Sequence, residues 1–266
     1  MLYVVGTPIG NLKDITLRAL ETLRAADLVL CEDTRHSLKL LDAYEIKKPL
    51  VAYHKFNERE MTEKVVEMLR EGKEIALISD AGMPLVSDPG GVLVTRLKEE
   101  NLPFTVVPGT TAFVPALLLS GFSAPFLFFG FLPDKKKEKR EKLEQLKKET
   151  ANLIFYCAPH DVEETVKDLF SAFGERRACA VREITKIYEE AKPFMLSEGV
   201  GEARGEYVLI VEGAKEENPF AVLSEKEHIE KYLAEGLSKM DAIKRVAKER
   251  GVPKSSLYHY TVEDEK

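Results

Sequence analysis

The chain has 266 residues, 44% of them hydrophobic and 32% charged, with a formal net charge of −6. This composition allows a sizeable folded core and argues against a uniformly basic nucleic-acid binder, though not against local basic patches. No apolar run is long enough to span a membrane and the N-terminus opens directly into a strand without a signal peptide, so a cytoplasmic protein with no membrane partner is expected.

Residues 2–5 read as a first strand, and Gly-Thr-Pro-Ile-Gly-Asn at 6–11 as a small-residue loop after it. Asp14 is placed to cap a helix carrying Leu17, Leu20 and Leu23. A second apolar strand at 27–31 ends in Glu32-Asp33-Thr34-Arg35-His36, before a helix with Leu38, Leu40 and Leu41. A strand at 50–53, a polar loop at 54–59 and a helix at 61–70 come next. Ile75-Ala76-Leu77-Ile78 has the composition of a buried parallel strand. Five of the ten residues 82–91 after it are Gly or Pro, which stops both helix and strand. Helical periodicity resumes at Val92, Leu93, Arg96 and Leu97. A strand at 104–107 and Pro108-Gly109-Thr110-Thr111 then lead into a helix at 112–119. Alternation at this spacing implies a mostly parallel sheet with right-handed crossovers. Its small-residue loops share the carboxyl edge, where open α/β sheets bind ligands.

The regularity breaks near Ser120. The Phe-rich stretch 124–132 is expected as a buried strand or hinge, and 135–148 as a charged helix with eight Lys or Arg against three Glu. A strand at 153–157, a helix at 162–173, a strand at 178–181, Arg182-Glu183-Ile184-Thr185-Lys186 with a less regular stretch, and the run 205–213 complete a second unit. The expected division is an N-terminal α/β domain at 1–120 with the cofactor loops, a second α/β domain at 121–214 closing a crevice, and a linker with a C-terminal helical module at 215–266. A polar linker at 214–218 leads into that module. There Ile229 and Leu233 begin one helix. Ser238 caps a second, 240–250, with Ala242, Ile243, Val246 and Ala247 on one face. Gly251 ends it, and Pro253 starts a third with Leu257 and Tyr258. The spacing is helix-turn-helix-like. Lys239, Lys244, Arg245, Lys248, Arg250 and Lys254 suit nucleic-acid contact, and suit equally a three-helix cap with solvated charges.

No Walker lysine loop, G-x-G-x-x-G, H-E-x-x-H or G-x-S-x-G occurs. His36, His54 and His160 have no metal spacing, so no metal is expected. Cys31, Cys157 and Cys179 lie far apart beside apolar runs and read as buried thiols. What the chain does carry, in order, is Thr7-Pro8-Ile9-Gly10-Asn11-Leu12, Glu32-Asp33-Thr34-Arg35, Ser79-Asp80-Ala81-Gly82, Pro84-Leu85-Val86-Ser87-Asp88-Pro89-Gly90 and Pro108-Gly109. Phe129-Gly130-Phe131-Leu132-Pro133, Phe155-Tyr156, Pro159-His160, Arg182-Glu183-Ile184-Thr185-Lys186 and Gly205-Glu206-Tyr207-Val208 follow. Over residues 1–213 this pattern resembles the bacterial 16S rRNA (cytidine-2'-O)-methyltransferases of the tetrapyrrole methylase-like superfamily. Met83 departs from a usual Thr, Asp161 from a frequent Arg, and Thr110-Thr111 from a Pro-Ser pair.

The resemblance implies S-adenosylmethionine (SAM) in the crevice, a homodimer, and methylation of a decoding-centre cytidine ribose of 16S rRNA within the 30S subunit, with no DNA partner. Carried over residue by residue, the cofactor set is Pro8, Gly10, Asp80, Gly82, Met83, Val86, Gly109, Thr110, Thr111 and Ala112, with Tyr156, Cys157 and Tyr207 from the second domain. Methyl transfer needs the 2'-oxygen in line with the sulfonium, and a base would help so weak an acid as a ribose hydroxyl. The candidates are Glu32, Asp33, Glu183 and Lys186, the first pair favoured. The same residues also read as a structural ion-pair set with Arg35 and Arg182. Arg35, Lys39, His54, Lys55, Lys135, Lys136, Lys137, Lys139, Arg140 and Arg182 are the candidates for RNA contact, which positions phosphates without reading sequence. Two other functions fit parts of the chain: a small-molecule tetrapyrrole methylase of the same superfamily, and a ligand-sensing helix-turn-helix regulator.

Overall fold

The computed structural model describes residues 1–201, 205–215 and 223–261, which form two compact units, Met1–Ala214 and Lys215–Lys266. The first unit opens with β1 (Leu2–Val5), α1 (Leu17–Ala25), β2 (Leu28–Cys31), α2 (Thr34–Ala43), β3 (Leu50–Ala52), α3 (Glu58–Arg70), β4 (Ile75–Leu77), α4 (Gly91–Glu99) and β5 (Phe104–Val107). The strands form one sheet in the order β3-β2-β4-β1-β5, every pair parallel. Successive strand residues point to opposite faces, so both faces must be covered. Leu2, Leu30, Ile75 and Leu77 pack with Val65, Val66, Leu93 and Leu97 of α3 and α4. Val5, Val29, Cys31 and Ala76 pack with Ala19, Leu23 and Leu41 of α1 and α2. The neighbours β1 and β4 therefore send their following helices to opposite faces. Their carboxyl ends mark the switch point of the sheet, where a crevice must open.

The chain then runs through α5 (Phe113–Ser120), β6 (Phe126–Phe131), α6 (Lys136–Leu146), β7 (Asn152–Cys157), α7 (Val162–Phe173), β8 (Arg177–Arg182), β9 (Glu190–Met195) and β10 (Tyr207–Val211). A second sheet has the order β6-β7-β10-β8-β9, with β6 and β7 parallel and the other pairs antiparallel. Helices α6 and α7 cover one face through Leu143, Leu146, Val166 and Leu169. Helix α5 covers the other through Ala116 and Leu117, so it packs on the second sheet although it follows β5 directly.

Three sequence expectations are corrected here. The cap of α1 is Thr16, whose hydroxyl accepts from the Ala19 amide at 3.1 Å. Asp14 lies one turn earlier, in a short 3-10 turn at Leu12–Asp14, and accepts from the Thr185 hydroxyl. Strand β6 is an edge strand with Phe126, Leu127 and Phe131 exposed, not a buried one. Strand β9, which falls in the stretch read as irregular, has the sequence Glu-Ala-Lys-Pro-Phe-Met. Its Lys and Pro suit a sheet edge and hide the apolar signal of a strand.

The second unit holds α8 (Glu225–Ala234), α9 (Lys239–Arg250) and, where a third short helix was expected, a 3-10 helix at Lys254–Thr261. Ser224 and Glu227 form a capping box on α8. Ser238 caps α9 as expected, accepting from the Asp241 amide at 3.2 Å, and Gly251 ends it at φ +66°. Ile229, Tyr232, Ile243, Val246 and Leu257 are buried in its core. Leu233 is 36% exposed, because Tyr232 takes the inward position. Arg250 donates to the Leu223 and Ser224 carbonyls and to His228, Arg245 pairs with Glu249, and Lys244 pairs with Asp241. Those three basic side chains are thus engaged within the unit. Most of the expected 214–218 linker lies outside the described residues. Among the described residues no helix is long and apolar enough to cross a membrane.

Candidate active site

The site begins at Thr7, just past β1. Its amide donates to the Gly82 carbonyl at 2.8 Å and the Gly82 amide returns a bond to the Thr7 carbonyl at 3.2 Å, an isolated bridge between the loops after β1 and β4. The buried Thr7 hydroxyl lies 3.2 Å from the Ser79 carbonyl and 3.3 Å from that of Gly82. The Thr110 hydroxyl donates to the Thr7 carbonyl at 2.7 Å, which brings in the loop after β5. Gly6 and Gly109 pass so closely that a Cβ on Gly109 would stand 2.7 Å from the Gly6 Cα. The small-residue loops are therefore one hydrogen-bonded body. Within it Gly82, Leu85, Ser87 and Gly90 have φ of +83°, +70°, +71° and +129°. A left-handed non-glycine residue costs about 1–2 kcal/mol, and such strain persists where the surroundings fix it.

The facing wall comes from the second sheet: the end of β7, the start of β10 and the turn at 183–186 after β8. The Lys186 ammonium is held between Glu183 at 3.2 Å and Glu206 at 3.1 Å. Its stem lies over Gly10, where a Cβ would come within 2.5 Å of Lys186 Cε. Asn11 donates to the Thr185 carbonyl at 3.4 Å. The loop after β1 thus docks on the turn after β8.

Between these walls is a cavity of about 320 Å³. Asp80, Gly82, Met83, Val86, Asp88, Thr111 and Ala112 line it from the first-sheet side. Phe131, Tyr156, Cys157, Glu183, Lys186, Glu206 and Tyr207 line it from the other. Burial pushes the Asp88 carboxyl up to about 6, helped by the charges of Glu32 and Asp80. Burial also raises Glu32, again with Asp80, against the opposing pull of His54 and Lys55. Burial pushes the Tyr156 hydroxyl and the Cys157 thiol each up to about 12, which makes that cysteine an inert lining group. Burial opposes the charge on Lys186, but Glu206 and Glu183 outweigh it and keep the ammonium protonated. Burial likewise opposes ionisation of Glu183, and the Glu206 amide with Lys186 and Arg182 outweighs it. Partly buried carboxylates whose ionisation is costly favour a cationic ligand, which relieves that cost.

Residues 1–198 match the family model described as Tetrapyrrole (Corrin/Porphyrin) Methylases. "Ribosomal RNA small subunit methyltransferase I" of Bacillus subtilis (strain 168) is 43% identical over 97% of this chain and 92% of its own. The chain belongs to the ribosomal RNA small subunit methyltransferase I family. A protein of the same name from Mycoplasmopsis pulmonis (strain UAB CTIP) is 44% identical over 79% of this chain and 96% of its own. The fold is that of uroporphyrin-III C-methyl transferase from Thermus thermophilus, solved in complex with S-adenyl homocysteine. That structure is 22% identical with a TM-score of 0.57, covering 79% of this chain and 96% of its own.

In this small subunit methyltransferase I family member, the cavity collects Asp80, Gly82, Met83, Val86, Thr111, Ala112, Tyr156, Cys157 and Tyr207 from the cofactor set inferred from sequence. Pro8, Gly10, Gly109 and Thr110 are not among its lining residues. Gly10 lies under Lys186, Gly109 against Gly6, and Thr110 is bonded to Thr7, so these shape the loops behind the cavity. Of the catalytic candidates, Glu183 and Lys186 line the cavity while Glu32 and Asp33 do not. Asp33 caps α2, accepting from the Arg35 amide at 2.8 Å, and both its oxygens take the Arg35 guanidinium at 3.2 and 2.8 Å. The Arg35 side chain and amide hold that carboxyl far below the usual range. Arg182 pairs with Glu190 on β9 at 2.7 Å.

The basic candidates fall into two groups. Arg35 and Lys39 on α2, with His54 and Lys55 after β3, follow the carboxyl ends of first-sheet strands. Lys135, Lys136, Lys137 and Arg140 stand at the start of α6, where Lys135 pairs with Glu138 and Lys137 with Glu141. Lys139 is turned in to Asp168 of α7 at 3.0 Å. Asp88, Phe131 and Glu206 line the cavity and were missed. Asp88 had one sequence signal, its place inside the Gly- and Pro-rich loop. Phe131 and Glu206 had none beyond belonging to quoted motifs.

Proposed function

We propose that this chain transfers the methyl group of SAM to the 2'-hydroxyl of a decoding-centre cytidine in 16S rRNA, acting as a homodimer. The observation that carries this reading is the 43% identity, over nearly full length, to a protein named as a small subunit rRNA methyltransferase. The cavity suits the cofactor. SAM has a sulfonium and an ammonium group, and Asp80 and Asp88 offer carboxylates for cations. The bridged loops offer peptide groups for the adenosine. A volume of about 320 Å³ lies in the range that holds small ligands.

Bound SAM supplies an activated methyl group, and the chain's own residues then have mainly to position the acceptor. Protonated Lys186 supplies a fixed cation for charge developing on the ribose oxygen. Glu32 is the residue we assign to the ribose proton. Burial and the Asp80 charge raise its carboxyl above the ordinary carboxylate value, whereas Asp33 is tied to Arg35. Arg35, Lys39, His54, Lys55 and the α6 lysines would meet phosphates, and rRNA shape would supply specificity. Exposed Val106, Leu118, Phe126 and Leu127 on β5, α5 and β6 support a second copy as their cover.

The test offers methyl-labelled SAM with 30S subunits, naked 16S rRNA and tetrapyrrole precursors. Label should appear on one cytidine 2'-oxygen in RNA. Label on a tetrapyrrole, or on a base atom, would overturn the reading. Light scattering should give twice the chain mass.

A further inference from the structure

The register of β6 on β7 slips once. Phe128 lies opposite Ile154, but Gly130 lies opposite Phe155 and Phe131 opposite Tyr156, so Phe129 is the extra residue of a β-bulge. The bulge needs its glycine: Gly130 has φ +81°, and a Cβ there would meet Ser87 Oγ, on the cavity loop, at 2.6 Å. Residues opposite one another in paired strands share a face. Ile154 and Tyr156 face α5, while Phe155 and Cys157 pack among α6 and α7, with Cys157 meeting the cavity only as the last residue of its strand. Without the extra residue Gly130 would stand opposite Tyr156, and Phe131 would fall opposite Cys157 on the far face.

The bulge therefore aims Phe131 at the cavity, where its ring meets the Tyr156 ring edge-on at 5.5 Å and stays 56% exposed. Its neighbours differ. Phe128 stacks on Phe113 at 4.5 Å, and Phe129 lies against Phe155 at 5.8 Å. Packing accounts for those two rings and leaves Phe131 with an open face beside the cofactor loops.

We propose that Phe131 is the stacking platform for the base of the nucleotide being methylated, an inference that rests on the RNA methylation proposed above. A ribose hydroxyl can enter a recessed cavity only if its nucleotide leaves the neighbouring stack, and the freed base then needs another π-face. The carboxylates around the cavity repel phosphate, so the nucleotide is better held there by its base than by its backbone. The Phe131 ring supplies a base-sized flat surface within the same cavity.

The test uses the full chain, 30S subunits and labelled SAM. Phe131→Ala should lower kcat/KM for the subunit roughly ten- to a hundred-fold, the loss expected from removing one base–aromatic stack. Phe131→Tyr should restore most of it, while Phe131→Leu, which keeps apolar bulk but no π-face, should not. S-adenosylhomocysteine affinity by calorimetry and subunit mass should match the original chain in every variant. A Leu variant as active as the original overturns the proposal. So does a weakened cofactor affinity, which would give the ring to adenine, or a loss of dimer mass, which would give it to a second copy. Should the Ala variant unfold, the comparison of Tyr with Leu still decides. If the unaltered chain methylates no RNA, the proposed function itself fails; if it does and Phe131→Ala is neutral, only the role of Phe131 falls.

Discussion

Gly109→Ala isolates the crowding between the loops after β1 and β5. The new Cβ would stand 2.7 Å from the Gly6 Cα, 2.9 Å from its carbonyl carbon and 3.0 Å from its oxygen. All three are backbone atoms and cannot swing aside. Carbon pairs settle at about 3.5–4.0 Å, so the loops must separate by roughly 1 Å. The Gly6 amide bond to the Val107 carbonyl, at 3.2 Å, and the Thr7–Gly82 bridge resist that movement. Crowding of this kind costs about 1–3 kcal/mol. At about 2–4 °C per kcal/mol for a unit of this size, melting should fall by several degrees. The displacement would pass through Thr7 to Gly82, so SAM affinity should drop at least about ten-fold. Gly121→Ala is the control, since that position has φ +71° but nothing within 4 Å. It should cost stability without touching cofactor affinity. Thermal melts and calorimetric titration of both variants read the two quantities. An unchanged melting point and Kd for Gly109→Ala would refute the account of the loops as one body.

The Asp88 carboxyl, raised to about 6, makes two pH predictions. Its folded value lies above the ordinary carboxylate value, so its contribution to the stability of the unliganded chain is fully present below about pH 4 and is lost as pH rises through about 6. Asp88→Asn should flatten that decline in melts across this range, and an unchanged slope would exclude Asp88. Cation binding has the opposite sign, so SAM affinity should rise as pH passes 6, and calorimetry on Asp88→Asn should show a weaker, flatter profile. Glu32→Gln should lower kcat for methylation at least ten-fold with SAM affinity unchanged, while Asp33→Asn, which keeps a capping side chain, should leave kcat within about two-fold; the reverse ranking in single-turnover assays would give the proton to Asp33. A chain ending at Ala214 should stay folded and bind SAM normally, but bind 30S subunits with a shallower salt dependence. Full affinity and an unchanged salt slope would show that the C-terminal unit holds no RNA.

The first sheet was legible because each of its strands is a short apolar run closed by Gly, Pro or polar residues, a pattern that double burial imposes. The small-residue loops at the carboxyl edge were legible for a related reason: Gly82, Gly109 and Gly10 sit where strand periodicity stops. The irregular features were not. Asp14 and Thr16 are both good caps, and only where α1 starts chooses between them. Strand β9 carries Lys192 and Pro193, which edges tolerate and sequence reading takes as loop. The bulge at Phe129 leaves no periodic trace, because one extra residue in a run of phenylalanines looks like continuous strand. The pKa of Asp88 is raised by burial first and then by the charges of Glu32 and Asp80, and only the folded sheet edge buries it and brings Glu32 near from the loop after another strand. Asp33 was a plausible base by residue type, and the same carboxylate is as well suited to the helix cap and Arg35 pair it forms.

Helix α5 packs on the second sheet, while the strand before it belongs to the first. The chain therefore crosses from one wall to the other through residues 108–112, and Thr111 and Ala112 of that crossing line the cavity. The tether between the walls and the floor of the site are the same few peptides. A ligand gripping those peptides fixes the distance between the walls, and anything that pries the walls apart pulls the floor from beneath the ligand. By reciprocity of linked equilibria, RNA seated across both walls would tighten the hold on SAM by the same factor that SAM tightens the hold on RNA.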